Sequence, residues 1–181
     1  MIIKRAILCF SLIASLLRAE SGLVAAAVAA NDQPLSLCRT EEQVIFTCAL
    51  AGSGKRLSLC GSKLLDHRRG YLQYRYGKPG AIELQFPQAR ANTQQAFRYA
   101  HYFRAQVDRT EISFDTQDYR YTLFDYYEGD VKPTIAVAGV RISKHRTNGP
   151  ETELQCGGKP TSTLGSLETV IPRDQDNPLN R

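Results

Sequence analysis

Residues 71–87 read YLQYRYGKPGAIELQFP, and strict alternation on both sides of a Lys-Pro-Gly turn commits this stretch to an antiparallel hairpin. One face takes Leu72, Tyr74 and Tyr76 with Ile82, Leu84 and Phe86. The other takes Tyr71, Gln73 and Arg75 with Glu83 and Gln85. A three-residue loop over Lys78, Pro79 and Gly80 predicts that Tyr76 faces Ile82, Tyr74 faces Leu84 and Leu72 faces Phe86. Arg75 then opposes Glu83 and Gln73 opposes Gln85. Gly80 falls where the loop needs the left-handed conformation. The hairpin is therefore half-buried, with the Tyr71, Gln73, Arg75 face exposed.

The rest of the chain repeats this pattern. VIFTCALAGSGKRLSLC (44–60) predicts a second hairpin around Ser53-Gly54, with Leu50 opposite Leu57 and Cys48 opposite Leu59. Its apolar face holds Val44, Phe46, Cys48 and Leu50, and Cys60 points the other way. FRYAHYFR (97–104) alternates Phe97, Tyr99, His101 and Phe103 with Arg98, Ala100, Tyr102 and Arg104. TEISF (110–114), YRYTLFDYY (119–127), IAVAGVRIS (135–143) and TELQC (152–156) follow as strands, with a loop from Glu128 to Pro133. Residues 92–96 form a loop or one helical turn. Short strands between Gly, Asn and Pro turns, without helical periodicity, predict a single all-β domain: an antiparallel β-sandwich or small barrel. In the tail over 161–181, Ser166 to Ile171 predicts a short helix packing Leu167, Val170 and Ile171 on the body, and the last ten residues are predicted to be mobile.

The N-terminus has the layout of a signal peptide over 1–30. Lys4 and Arg5 precede an apolar run, and Ala27-Val28-Ala29 offers a cleavage site after Ala29 or Ala30. Cleavage leaves the β domain over 31–160 and the tail. Removing Lys4, Arg5, Arg18 and Glu20 takes Lys+Arg from 23 to 20 and Asp+Glu from 18 to 17, a net charge of +3. With basic residues dispersed among acids, nothing marks a nucleic-acid surface, and no later apolar stretch marks a membrane span. The reading is periplasmic or secreted.

Cleavage also removes Cys9 and leaves Cys38, Cys48, Cys60 and Cys156. Separations of 9, 11 and 95 intervening residues contain no close zinc-ligand pair, so an exported chain uses these cysteines as two disulfides. Cys60 points away from the Cys48 face, and Cys156 shares the apolar face of Leu154. The pairing that follows is Cys48–Cys156 in the core, with Cys38–Cys60 tying down the N-terminal segment.

No catalytic motif stands out. Asp66-His67 lacks a nucleophile context and reads as a surface loop, His101 as a wall residue, and His145 as part of a solvated basic turn. No spacing implies a metal or cofactor. Glu83, Glu111, Asp115, Asp125 and Glu128 supply carboxylates for a hydrolytic pair only if the fold assembles two of them. The candidate binding residues are Tyr71, Gln73 and Arg75 on the hairpin face, and Glu128 and Asp130 in the later loop. For Gln73 and Arg75 the competing reading is a cross-strand polar ladder with Gln85 and Glu83.

The string LC-x9-C, SLC, GYLQYRYG with IELQFP, GVRI before ELQCGG, and a closing D-x-DN-x-LN resembles a family of small uncharacterised secreted proteins of Gram-negative bacteria. A looser likeness is to periplasmic inhibitors of c-type lysozyme, which are small exported β-barrels. Phe46-Thr47-Cys48 and Leu154-Gln155-Cys156 stand where those proteins bond their first cysteine to a closing one. That likeness implies an exported, non-enzymatic binding protein that inhibits a cell-wall-degrading enzyme, with an envelope or host protein as partner; it assigns no functional residue. The alternative is a small envelope hydrolase whose acidic pair is assembled by the fold.

Overall fold

The computed structural model describes residues 36–145 and 149–180. The signal segment predicted over 1–30 lies outside them, as does Cys9. Ten strands run β1 (Glu42–Ala49), β2 (Arg56–Ser62), β3 (Leu72–Lys78), β4 (Ala81–Phe86), β5 (Phe97–Arg104), β6 (Val107–Asp115), β7 (Tyr119–Glu128), β8 (Ile135–Lys144), β9 (Thr152–Gln155) and β10 (Thr161–Ser162). They form two five-stranded antiparallel sheets, ordered β10-β1-β2-β3-β4 and β5-β6-β7-β8-β9. Two separate sheets make this a sandwich and not a closed barrel. No helix among the described residues is long and apolar enough to cross a membrane.

The core lies between the sheets. Phe46, Leu57, Leu59, Leu72 and Tyr74 of the first meet Phe97, Tyr99, Ile112, Phe114, Leu123 and Val140 of the second. Phe114 stacks between Phe86 and Tyr121, with ring centroids 4.6 and 5.0 Å away. Cys48–Cys156 ties β1 to the residue that follows β9, and Cys38–Cys60 pins the N-terminal segment to the outer face of β2.

Both predicted hairpin registers are corrected. β3 and β4 pair Lys78 with Ala81 around a two-residue Pro79-Gly80 turn. A bulge beside Gly77 then sets Tyr76 opposite Leu84, Tyr74 opposite Phe86 and Arg75 opposite Gln85. Gly77 makes this possible. Its φ is 144°, and a Cβ there would lie 2.4 Å from the Ala81 carbonyl oxygen. In the earlier hairpin, Leu50 N–H donates to Lys55 O at 2.9 Å across a four-residue loop, so Cys48 opposes Leu57 and Phe46 opposes Leu59. A second bulge, between Val44 and Phe46, buries Ile45 and leaves Val44 half-buried.

The tail differs too. β10 adds to the edge of β1, and the predicted helix is a 3-10 turn over Leu164–Leu167, with Leu167 and Ile171 buried and Val170 packed on the core. The residues predicted to be mobile are held on the edge strand β5. Tyr99 N–H donates to Pro172 O and Asp174 N–H to Tyr99 O, both at 2.8 Å, in a parallel bridge. Asp174 and Asn177 then fold over the outer face, accepting from Ser113 Oγ (3.0 Å) and donating to Glu111 Oε2 (2.6 Å), respectively.

Candidate binding groove

The hairpin face assigned to binding is covered. Gln73 and Arg75 are 0 % and 2 % exposed, because residues 36–41 lie across them and Cys38–Cys60 holds that segment down. Arg75 Nη1 donates to Glu42 Oε2 at 2.6 Å and to Leu37 O at 2.9 Å. Its Nη2 donates to Glu42 Oε1 at 2.8 Å and Gln73 Oε1 at 2.5 Å, and Nε reaches Gln85 Oε1 at 3.3 Å. Glu42 also accepts from Tyr71 Oη (2.9 Å) and Arg39 N–H (2.6 Å). Burial pushes the Glu42 carboxyl up, but the bonds from Arg75, Arg39 and Tyr71 outweigh it and hold the group below its ordinary value of 4.5. Every guanidinium N–H group thus finds an acceptor, and the predicted exposed face is a closed structural tie. Cys38, Glu42 and Cys60 converge within 4.8 Å, but their sulfurs are bonded to each other and the carboxylate is held by Arg75. The cluster does not fit a metal ion.

The other candidates are also engaged. Glu128 pairs with Arg109 at 2.7 Å and Asp130 with Arg104 at 2.6 Å, tying the β7–β8 loop to β5 and β6. Glu83 pairs with Lys55 at 2.7 Å, and Asp115 lies 3.3 Å from Arg120. Glu111 is buried on the outer face, where it accepts from Tyr126, Arg141 and Asn177. Burial, then the Glu111 carboxylate, pushes the Tyr126 hydroxyl well above its usual range. Asp66 receives the N–H groups of Arg68 and Arg69 at 2.7 and 2.8 Å, which with the Arg69 side chain hold its carboxyl at about 2. It shapes a turn and does not activate His67, whose Nε2 accepts from Arg68. His145 Nε2 lies 3.2 Å from Thr116 O.

The open site is at one end of the second sheet, and its ladders define it. On the inner face of β5 to β8, residues line up as Phe97, Phe114, Tyr121, Ile142 and then Tyr99, Ile112, Leu123, Val140. Both rows belong to the core or pack against it. The next row is His101, Thr110, Asp125, Ala138, and the last is Phe103, Asp108, Tyr127, Ala136. Thr110 and Ala138 are still buried, His101 and Asp125 are half-buried, and the whole last row is exposed. The second sheet thus runs past the edge of the covered core, and its inner face turns polar where it does.

Two hollows of about 800 and 280 Å³ share Asp125, Tyr127 and Ser162 and together form a groove over these rows. Gly157, Gly158, Lys159 and Thr163 supply its wall. Its size is in the range of ligand sites, roughly 300–1,000 Å³. His101 Nε2 lies 3.0 Å from Asp108 Oδ1. The Asp125 carboxylate makes no hydrogen bond or ion pair among the described residues. Tyr127, which lines both hollows, is 49 % exposed, and Phe103, in the same row but outside both linings, is 71 % exposed. One row in from His101 the Tyr99 hydroxyl is buried without a hydrogen-bond partner among the described residues, and desolvation, reinforced by Glu168, pushes it up to about 12.

Of the acids considered from sequence, Asp125 alone lies in the groove. Phe103, Asp108, Thr110 and Tyr127 were not singled out. The signal is that His101, Thr110 and Asp125 put a polar side chain at the inward position of three neighbouring strands at the same end, with Phe103, Asp108 and Tyr127 next outward. Fold and groove together define a small disulfide-bonded β-sandwich with an open-ended cleft. No family model matches this chain, and neither a curated protein nor a solved structure does.

Proposed function

We propose that this chain is an exported, non-enzymatic binding protein of the envelope or the extracellular space, and that its ligand enters the groove over His101, Thr110, Asp125, Phe103, Asp108 and Tyr127. One observation carries this reading: the inner face runs on through one partly covered row and one fully exposed row, with exposed rings and a half-buried carboxylate that has no partner among the described residues. Leaving such groups uncovered costs stability, and a bound partner would recover it. The two disulfides agree with an oxidising compartment. The test is retention of envelope material by the oxidised protein. Phe103→Ser and Asp125→Asn variants should lose the ligand while keeping the thermal transition of the wild type. Equal retention by both variants would sink the reading.

One observation favours a second reading, a hydrolase. Asp108 pairs with Tyr127 across β6 and β7, so Asp125 occupies the diagonal position on the same face. Diagonal positions lie about 7–8 Å apart along the backbone, a spacing from which two carboxylates can reach either side of a scissile glycosidic bond. Turnover of a soluble glycan, abolished by Asp125→Asn, would replace the binding reading. Inhibition of a cell-wall-degrading enzyme, which the lysozyme-inhibitor likeness suggests, is checked by clearing of a cell-wall suspension by c-, g- and i-type lysozymes. Asp125 and Tyr127 line a concavity, which suits a ligand entering this protein better than a loop of it entering an enzyme.

A further inference from the structure

We infer that the ligand class of this groove is a strand of neutral pyranose sugars lying across β5, β6 and β7; the inference rests on the groove being the binding site. Phe103 and Tyr127 occupy one cross-strand row with Asp108 between them. Two inter-strand spacings set their backbone positions about 10 Å apart. Their side chains leave the same sheet face; the Tyr127 ring leans toward Gly129, just past the end of β7, where an added Cβ would lie 2.7 Å from Tyr127 Oη, and both residues are exposed.

Each face of a pyranose carries axial C–H groups that lie flat on an aromatic ring, and its edge carries hydroxyls. Two exposed rings on strands about 10 Å apart offer stacking surfaces to two sugars of one chain. The groups beside the rings suit the hydroxyl edge. Asp125 is an acceptor without a partner, Asp108 has one oxygen on His101 and the other without a hydrogen bond among the described residues, and Thr110 brings a hydroxyl to the same row.

Other ligand chemistries fit less well. A nucleic-acid backbone would bring phosphates against Asp108 and Asp125. An acyl chain would strip water from both carboxylates without replacing their hydrogen bonds. An extended peptide would seek a free strand edge, whereas the carboxylates Asp108 and Asp125 stand on β6 and β7, which are paired on both sides. A cation caged by aromatics needs rings converging on one point, each within about 6 Å of it, and a carboxylate stands between these two.

The test is a titration of the uniformly 15N-labelled, oxidised protein with three probes: a β-1,4-linked tetrasaccharide of glucose, one of N-acetylglucosamine, and trilysine. Either sugar should shift the amides of residues 101–110, 125–127 and 136–138, and Phe103→Ala should weaken that binding roughly tenfold. Because Phe103 is exposed, the substitution leaves the core intact, which unchanged amide dispersion verifies. Shifts with trilysine alone, at the same residues, would overturn the sugar assignment and leave the groove standing. No shift with any probe would also overturn it.

Discussion

Arg75 holds both carboxylate oxygens of Glu42, at 2.6 and 2.8 Å, across 33 residues of sequence, and both side chains are sealed from solvent. The pair joins β3 to the start of β1, beneath a segment that a disulfide keeps in place.

Breaking this pair should be costly, and removing it whole should cost less. Glu42→Gln or Arg75→Met alone should destabilise the protein by about 3–5 kcal/mol, because the remaining charge stays buried without its counter-ion. A Glu42→Leu/Arg75→Met double variant should lose less than the sum of the single changes. Chemical denaturation of the four proteins, read as a double-mutant cycle, checks this.

Acid stability should depend on the same carboxylate. The folded-state value of Glu42 lies below its ordinary 4.5, so the unfolded chain binds the proton more readily. The stabilisation is complete above pH 4.5 and is lost as the pH falls through the depressed folded value. Stability measured from pH 7 to pH 2 should fall more steeply in the wild type than in Glu42→Gln. Parallel curves would mean that this carboxyl is not depressed.

The two disulfides should differ in weight. Cys48–Cys156 closes a separation of 108 residues and Cys38–Cys60 one of 22. On chain-entropy grounds their loss costs about 5 and 3 kcal/mol, respectively. Cys48→Ala/Cys156→Ala should therefore lower the midpoint of unfolding more than Cys38→Ala/Cys60→Ala. The second variant should also speed hydrogen exchange at residues 37–42, which the first should not.

Gly77 should resist substitution. An added Cβ would meet the Ala81 carbonyl at 2.4 Å and Glu83 N at 2.8 Å, and the backbone angle of 144° is one that side chains rarely adopt. Gly77→Ala should cost at least about 1–3 kcal/mol by thermal or chemical unfolding. Gly80→Ala should cost less, because its Cβ meets nothing, although its positive φ is also strained.

The tail should protect an edge. Ending the chain after Arg173 removes the Asp174 N–H bond to Tyr99 O and the contacts of Asp174 and Asn177 with Ser113 and Glu111. Part of the β5 edge is then left for another chain to pair with. Light scattering should detect self-association of this truncated form at concentrations where the full chain remains monodisperse.

The sequence reading succeeds where one physical rule acts alone and fails where two compete. Alternation placed Leu72, Tyr74, Phe97 and Ile112 on buried faces, because period two forces the choice once one residue of a strand is assigned. It missed both registers, because the two loops hold two and four residues instead of three and two, and because the bulge at Gly77 adds a residue that alternation does not count. It left Arg75 on a solvent face, since nothing near Arg75 in sequence announces Glu42 or the segment pinned by Cys38. The groove was half legible. His101 interrupts an aromatic alternation and Asp125 an apolar one, but their meeting depends on the β5–β6 and β6–β7 registers.

The most direct test is a 15N amide shift map of the oxidised protein against a soluble cell-wall digest. Shifts concentrated at residues 101–110, 125–127 and 136–138, and absent in Asp125→Asn, are what the groove predicts. Shifts centred on residues 36–42 and 71–75, or none at all, would contradict it.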